Sequence, residues 1–155
     1  MAMKKLLVTL FTVLFASLAV ANEVAIAPTV SPDGLPPLGN TWLAENPYRG
    51  NPVAITTGQL AYNQACARCH GADASTNAAP APDLRLLNRF CKRISDAELN
   101  AACLRDNDAW FAKTVRKGKI IVGVTHMPPW EGVLKQELAW AIQVFIESRV
   151  TGRRE

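Results

Sequence analysis

Five consecutive residues, Cys66-Ala67-Arg68-Cys69-His70, place two thiols and an imidazole within little more than one turn of chain. Three chemistries use such a set. A structural zinc site takes four protein ligands, usually as two close pairs. A dithiol redox centre uses C-x-x-C directly after a strand of an α/β chain. A C-x-x-C-H run can instead fix a haem to the chain, the sulfurs forming thioethers with its vinyl groups and the histidine reaching the iron as proximal ligand.

The rest of the chain discriminates among them. Cys91 and Cys103 are the other two cysteines, and with eleven residues between them they do not form the second close pair that zinc needs. Strand-forming sequence is confined to the IIVGV run at 120–124, so the α/β context of a thiol centre is missing as well. Haem attachment uses every residue of the motif. On the last turn of a helix Cys66 and Cys69 present both sulfurs to one side, His70 follows at once, and Gly71 lets the chain turn away.

The iron's other face then has to be closed, and Met127 in VTHMPPWEG is the candidate. Pro128 pushes Met127 toward extended geometry and the Pro-Pro pair stiffens the chain beyond it, so a thioether can be held without a helix. His126 is the rival. Adjacent side chains on an extended segment point to opposite faces, so only one of the two can face the iron, and a His/Met pair gives the higher potential suited to an electron carrier. The axial positions therefore fall to His70 and Met127, with His126 on the surface or beside the haem propionates. Were Met127 to swing away, the open iron would suit a haem peroxidase or a gas sensor instead.

Lys4-Lys5 precede LLVTLFTVLFASLAV, which closes on Ala19-Val20-Ala21, a small-x-small cleavage pattern. The apolar run is shorter than the roughly 20 residues of a spanning helix. A cleavable signal peptide at residues 1–21 is therefore expected, delivering the chain to the periplasm with no membrane span after cleavage. Without Lys4 and Lys5, 15 basic residues stand against 13 acidic ones, a net charge near +2 and too mild for a nucleic-acid partner. Met1 and Met3 leave too, making Met127 the one methionine of the mature chain. In an oxidising compartment, with Cys66 and Cys69 taken by haem, Cys91 and Cys103 are expected to form a disulfide; a loop of that size contributes about 3 kcal/mol.

Residues 22–40 carry Pro28, Pro32, Pro36 and Pro37 with no apolar period and read as a flexible leader. A domain at 41–150 and a basic tail at 151–155 complete the chain. The Asn-Pro steps in WLAENPYRGNP mark turns, and Trp42 and Tyr48 suggest that this arm lies against the domain. Three helices are expected. The first runs from about Thr57 to Cys69, with Thr56 or Thr57 as N-cap and Leu60, Ala61 and Ala65 on its apolar face. The second covers about Asp108–Lys117, with Trp110, Phe111, Thr114 and Val115 inside and Gly118 as its stop. The third covers about Lys135–Arg149. A short fourth is expected at the capping box Ser95-Asp96-Ala97-Glu98. The fold class is all-α.

With these residues in place, about residues 55 to 148 resemble the class I cytochromes c. Gly58 and Tyr62 match the family's glycine and aromatic on the N-terminal helix, and Ile142 and Phe145 match the residues they meet on the C-terminal helix. APDL (Ala81–Leu84) and MPPW (Met127–Trp130) resemble the haem-wall segments, which implies that Pro82, Leu84 and Trp130 line the pocket. The family's fold wraps short helices and loops round one covalent haem c, and its members carry electrons and catalyse no bond chemistry. The arm, the motif helix, the Cys91/Cys103 insert and WFAKTVRKGK are together similar to the periplasmic c-550-type cytochromes. That resemblance implies a quinoprotein (pyrroloquinoline-quinone) alcohol dehydrogenase as electron donor and a terminal oxidase or another cytochrome as acceptor. A generic periplasmic carrier for another donor fits the same residues, and a monomer is expected of either. Arg68, Lys117 and Lys119 could form a basic docking rim at the haem edge, or simply be solvated charges.

Overall fold

The computed structural model describes residues 24–75 and 81–149; the expected signal peptide and basic tail lie outside them. The chain is mostly helical, with one two-stranded sheet.

Helix α1 (Pro52–Ala65) begins at Asn51, whose side chain accepts from the backbone N–H groups of Val53 and Ala54, while Pro52 fills a first-turn position where a missing N–H is harmless. The cap is thus not at Thr56 or Thr57, and the second Asn-Pro step is a helix start. α1 ends at Ala65; the motif continues after Cys66 in a separate short helix, α2 (Ala67–His70). The two helices expected at Ser95 and Asp108 are a single element, α3 (Ala97–Lys117). Asp96 caps it by accepting from Leu99 N at 2.9 Å. Nothing in residues 97–117 stops it, there being no glycine or proline, and the acidic stretch that resembles a helix start at Asp108 lies in its middle.

Gly118 ends α3, and β1 (Lys119–Ile121) pairs antiparallel with β2 (Val124–Met127), Lys119 standing opposite Met127. The strands come from the IIVGV run that stands out in the sequence. Helix α4 (Gln136–Ser148) closes the chain and is buried almost all round.

The centre of the molecule is the crossing of α1 and α4. Gly58 meets the backbone of Ala141 and Ile142, where any Cβ would lie 2.0 Å from the Ala141 carbonyl oxygen. Next to it the Tyr62 and Phe145 rings pack at 5.3 Å. α1 turns Ala54, Thr57, Gly58, Ala61, Tyr62 and Ala65 inward; Leu60 is on the other side and exposed. On α3 the buried positions are Asp108, Phe111, Ala112 and Val115. Trp110 sits off that stripe and is 55 % exposed, not inside as its aromatic character suggests.

The other face of α4 is covered by the chain from Leu38 to Arg49, while Thr29 reaches α1 through Gln64; this segment lacks regular structure yet does not form a loose leader. Leu35 and Tyr48 are buried, the Tyr48 hydroxyl donates to the Pro36 carbonyl, and Gln136 Nε2 donates to the Gly39 carbonyl at 2.7 Å. Trp42 packs edge-on against Trp140 at 5.9 Å. Asp108, fully buried, accepts from Arg49 Nη1 at 2.7 Å, from Asn46 N at 2.9 Å and from Gln143 Nε2 at 2.8 Å. These apolar and aromatic anchors and a satisfied polar network override the disorder that the prolines suggest.

Candidate functional site

Cys66 lies between α1 and α2, and its N–H donates back to the Tyr62 carbonyl at 2.8 Å. Cys69 and His70 are on the single turn of α2, their N–H groups both directed to the Cys66 carbonyl at 3.1 and 3.0 Å. The two sulfurs and the imidazole are therefore carried by one tight turn, and all three residues are half-buried. Burial, and then the neighbouring Cys69, push the Cys66 thiol up to about 12. A dithiol redox centre needs the opposite, a depressed thiol. Among the described residues no three of His, Cys, Asp and Glu converge to hold a metal ion, which disposes of the zinc arrangement there.

His70 Nδ1 lies 3.0 Å from the Pro82 carbonyl oxygen. A carbonyl can only accept, so in the neutral imidazole the proton is on Nδ1 and Nε2 is the nitrogen with the lone pair, the tautomer in which Nε2 can ligate a metal. Pro82 itself is exposed, so its contribution here is a backbone oxygen; Leu84 is half-buried against the core. The turn after the motif is fastened to α1. The Tyr62 hydroxyl donates to the Gly71 carbonyl at 3.0 Å, and burial raises the Tyr62 pKa well above the usual tyrosine range. Asp73 adopts a left-handed conformation. Its carboxylate accepts from Asn63 Nδ2 at 2.7 Å and Gln59 Nε2 at 2.9 Å, and these bonds hold its pKa below the usual carboxylate range, Asn63 foremost.

Met127 ends β2 half-buried against the core, whereas His126 is exposed, the alternation a strand imposes. The segment after it is tied to the end of α3: Trp130 N donates to the Val115 carbonyl at 3.0 Å and Glu131 N to the Arg116 carbonyl at 3.2 Å. Pro128 and Trp130 are buried. Gly118 does more than stop α3. At φ +68°, with space for a Cβ blocked by the Met127 carbonyl oxygen at 2.3 Å, it lets the Met127 backbone lie directly on the helix end. That role, and the Pro82 carbonyl, are invisible without coordinates.

Cys91 and Cys103 form a disulfide with a Cα–Cα distance of 5.6 Å. It joins the 3-10 turn Cys91–Arg93 to α3, where Cys103 lies inside the helix and not at the end of a short one. Of the three residues suggested as a docking rim, Lys117 shares Glu131 with Arg116, its Nζ 2.5 Å from Oε2. The Arg68 guanidinium donates to the Val24 carbonyl at 3.0 Å. Lys119 is exposed.

A covalent haem fits these residues: two sulfurs on one turn, an imidazole of fixed tautomer, and Cys66, Ala67, Leu84, Leu87 and Met127 left only partly covered by protein. Residues 53–146 match the family described as cytochrome c oxidase, cbb3-type, subunit III. The chain is 38 % identical over 137 residues to a cytochrome c550 of Pseudomonas aeruginosa, covering 86 % of this chain and 84 % of that one. No solved structure matches.

Proposed function

The chain belongs to the cytochrome c family, as an electron-transfer protein with covalently bound haem c, and on that premise we propose that it is a periplasmic single-haem carrier taking electrons from a quinoprotein alcohol dehydrogenase and passing them toward a terminal oxidase. Similarity to a protein named cytochrome c550 supports the carrier; the sequence resemblance of the arm, motif helix and disulfide insert supports the donor.

The observation that carries the site assignment is His70 held by the Pro82 carbonyl beside two half-buried cysteines. In this assignment Cys66 and Cys69 would hold the haem by thioethers, and His70 Nε2 and the Met127 sulfur would ligate its iron. When bound, haem c supplies an iron that gains and loses one electron. The chain's part is to keep the surroundings unchanged as it does so. The Nδ1–H bond to Pro82 fixes ring orientation and raises ligand basicity. The strand, Gly118 and the Pro-Pro step restrict the Met127 backbone, so the ligand set need not rearrange. Leu84 and Trp130 wall the site with apolar surface, and exclusion of water raises the potential along with the thioether.

Stopped-flow mixing of the oxidised holoprotein with reduced quinoprotein alcohol dehydrogenase tests the donor. Rapid, saturable reduction is expected; slow and unsaturable reduction by every such enzyme leaves a carrier for a different donor.

A further inference from the structure

Residues 86–93, LLNRFCKR, concentrate charge that the proposed site does not use. Arg89, Lys92 and Arg93 are exposed. Ion pairs among the described residues engage Arg49, Arg85, Arg116 and Lys117 but none of these three. Lys92 Nζ donates to the Glu147 backbone carbonyl at 3.2 Å. Between them stands Phe90, 69 % exposed, with the Arg89 and Arg93 guanidinium carbons 5.7 and 5.9 Å from its ring centre. Leu86, 48 % exposed, extends the apolar centre.

The patch is rigid. Cys91 is fully buried and disulfide-bonded to α3, Asn107 Nδ2 donates to the Leu87 carbonyl at 3.2 Å and to Asn88 Oδ1 at 2.9 Å, and Asn100 Nδ2 donates to the Cys91 carbonyl at 2.7 Å. A preformed surface loses little entropy on binding. Along the chain it follows closely on the candidate site. Pro82 O holds His70, Asp83 caps the next turn by accepting from Arg85 N at 3.0 Å, and Leu84 and Leu87 pack on the core. An exposed aromatic flanked by arginines is the composition of a protein-recognition centre, and cations outside ion pairs steer an acidic surface into place. Lys117, whose charge Glu131 offsets, is a poorer candidate.

We propose that the disulfide-fixed Arg89–Phe90–Lys92–Arg93 patch is the docking surface for an acidic redox protein, which it brings to the His70 side of the molecule. The proposal deepens the electron-carrier reading and rests on it.

The test compares holoprotein carrying R89Q/R93Q, or R89Q/K92Q/R93Q, with wild type and with K117Q/K119Q. With reduced quinoprotein alcohol dehydrogenase as probe, the two patch variants should lose about tenfold in second-order rate at low salt and show a flattened salt dependence. K117Q/K119Q should change less than about twofold. Carbodiimide should cross-link Lys92 to a dehydrogenase carboxylate. Two small reductants of opposite charge form a second arm: the patch variants should be reduced more slowly by ferrocyanide relative to hexaammineruthenium(II). Wild-type rates and salt slopes in the patch variants overturn the proposal. So does loss of binding to phosphatidylglycerol vesicles with electron exchange unchanged, which would make the patch a lipid contact. If the dehydrogenase reduces no protein in the set, the donor assignment falls and the small reductants decide: a shifted ratio sustains the patch as the electron-entry side, an unshifted one overturns it.

Discussion

His70 Nδ1 lies 3.0 Å from the Pro82 carbonyl oxygen. Because Pro82 offers only a carbonyl oxygen, the imidazole is held as the Nδ1–H tautomer with Nε2 available. Strand alternation leaves Met127 half-buried and His126 exposed, which supports Met127 as the proposed facing ligand. In the sequence, Pro128 and the two-residue period of extended chain favour the same residue. If Met127 is the sixth ligand, Met127→Ala should lower the midpoint potential by on the order of 100 mV. It should also abolish the weak far-red sulfur-to-iron absorption and let the reduced protein bind carbon monoxide. An unchanged spectrum would assign the position to another group.

At the scale of elements, the close approach of α1 to α4 makes Gly58 irreplaceable. In Gly58→Ala the new Cβ would sit 2.0 Å from the Ala141 carbonyl oxygen and 2.4 Å from its carbon, so backbone has to move. A loss of about 3 kcal/mol in denaturant unfolding is expected; a change below about 1 kcal/mol would show that the helices can slide apart cheaply. The clasp between α3 and the Met127 loop makes a pH-dependent contribution. Lys117, followed by Arg116, holds the Glu131 carboxyl below its usual range. A carboxylate lowered on folding stabilises above its ordinary pKa, and that contribution fades as pH falls through the lowered value. The melting temperature of Glu131→Gln should therefore lie slightly below wild type at neutral pH, with the gap closing below about pH 4; a gap that widens in acid would contradict this sign. The helices themselves were only partly legible. The α1–α4 pairing follows from Gly58, Tyr62, Ile142 and Phe145, but Asn51-Pro52 reads equally as a turn and as a cap followed by a first helical residue. Asp106–Asp108 similarly resembles an N-terminus until packing carries α3 straight through it. Local signals have two meanings at such points, and tertiary contact selects one.

Taken whole, the molecule is a small helical core bound by a strap of irregular chain, and the strap is what composition concealed. Proline content points to low order, whereas Trp42 against Trp140 and the Arg49–Asp108–Glu147 network bind this chain at Trp42 and Arg49 to α3 and α4. Asp108 is fully buried, so Arg49→Ala would strand a charge and should cost about 3 kcal/mol, read as a lower midpoint in urea; a neutral outcome would mean that Asn46 and Gln143 satisfy the carboxylate unaided. The proposed function has this molecule present Cys66, Cys69 and His70 to one covalently held haem. The most direct measurement of that claim is mass spectrometry of the peptide spanning Cys66–His70, taken from protein exported by cells competent in haem attachment. One haem mass on that peptide with no free thiol is the predicted result. An unmodified peptide, or one with Cys66 joined to Cys69, would contradict it.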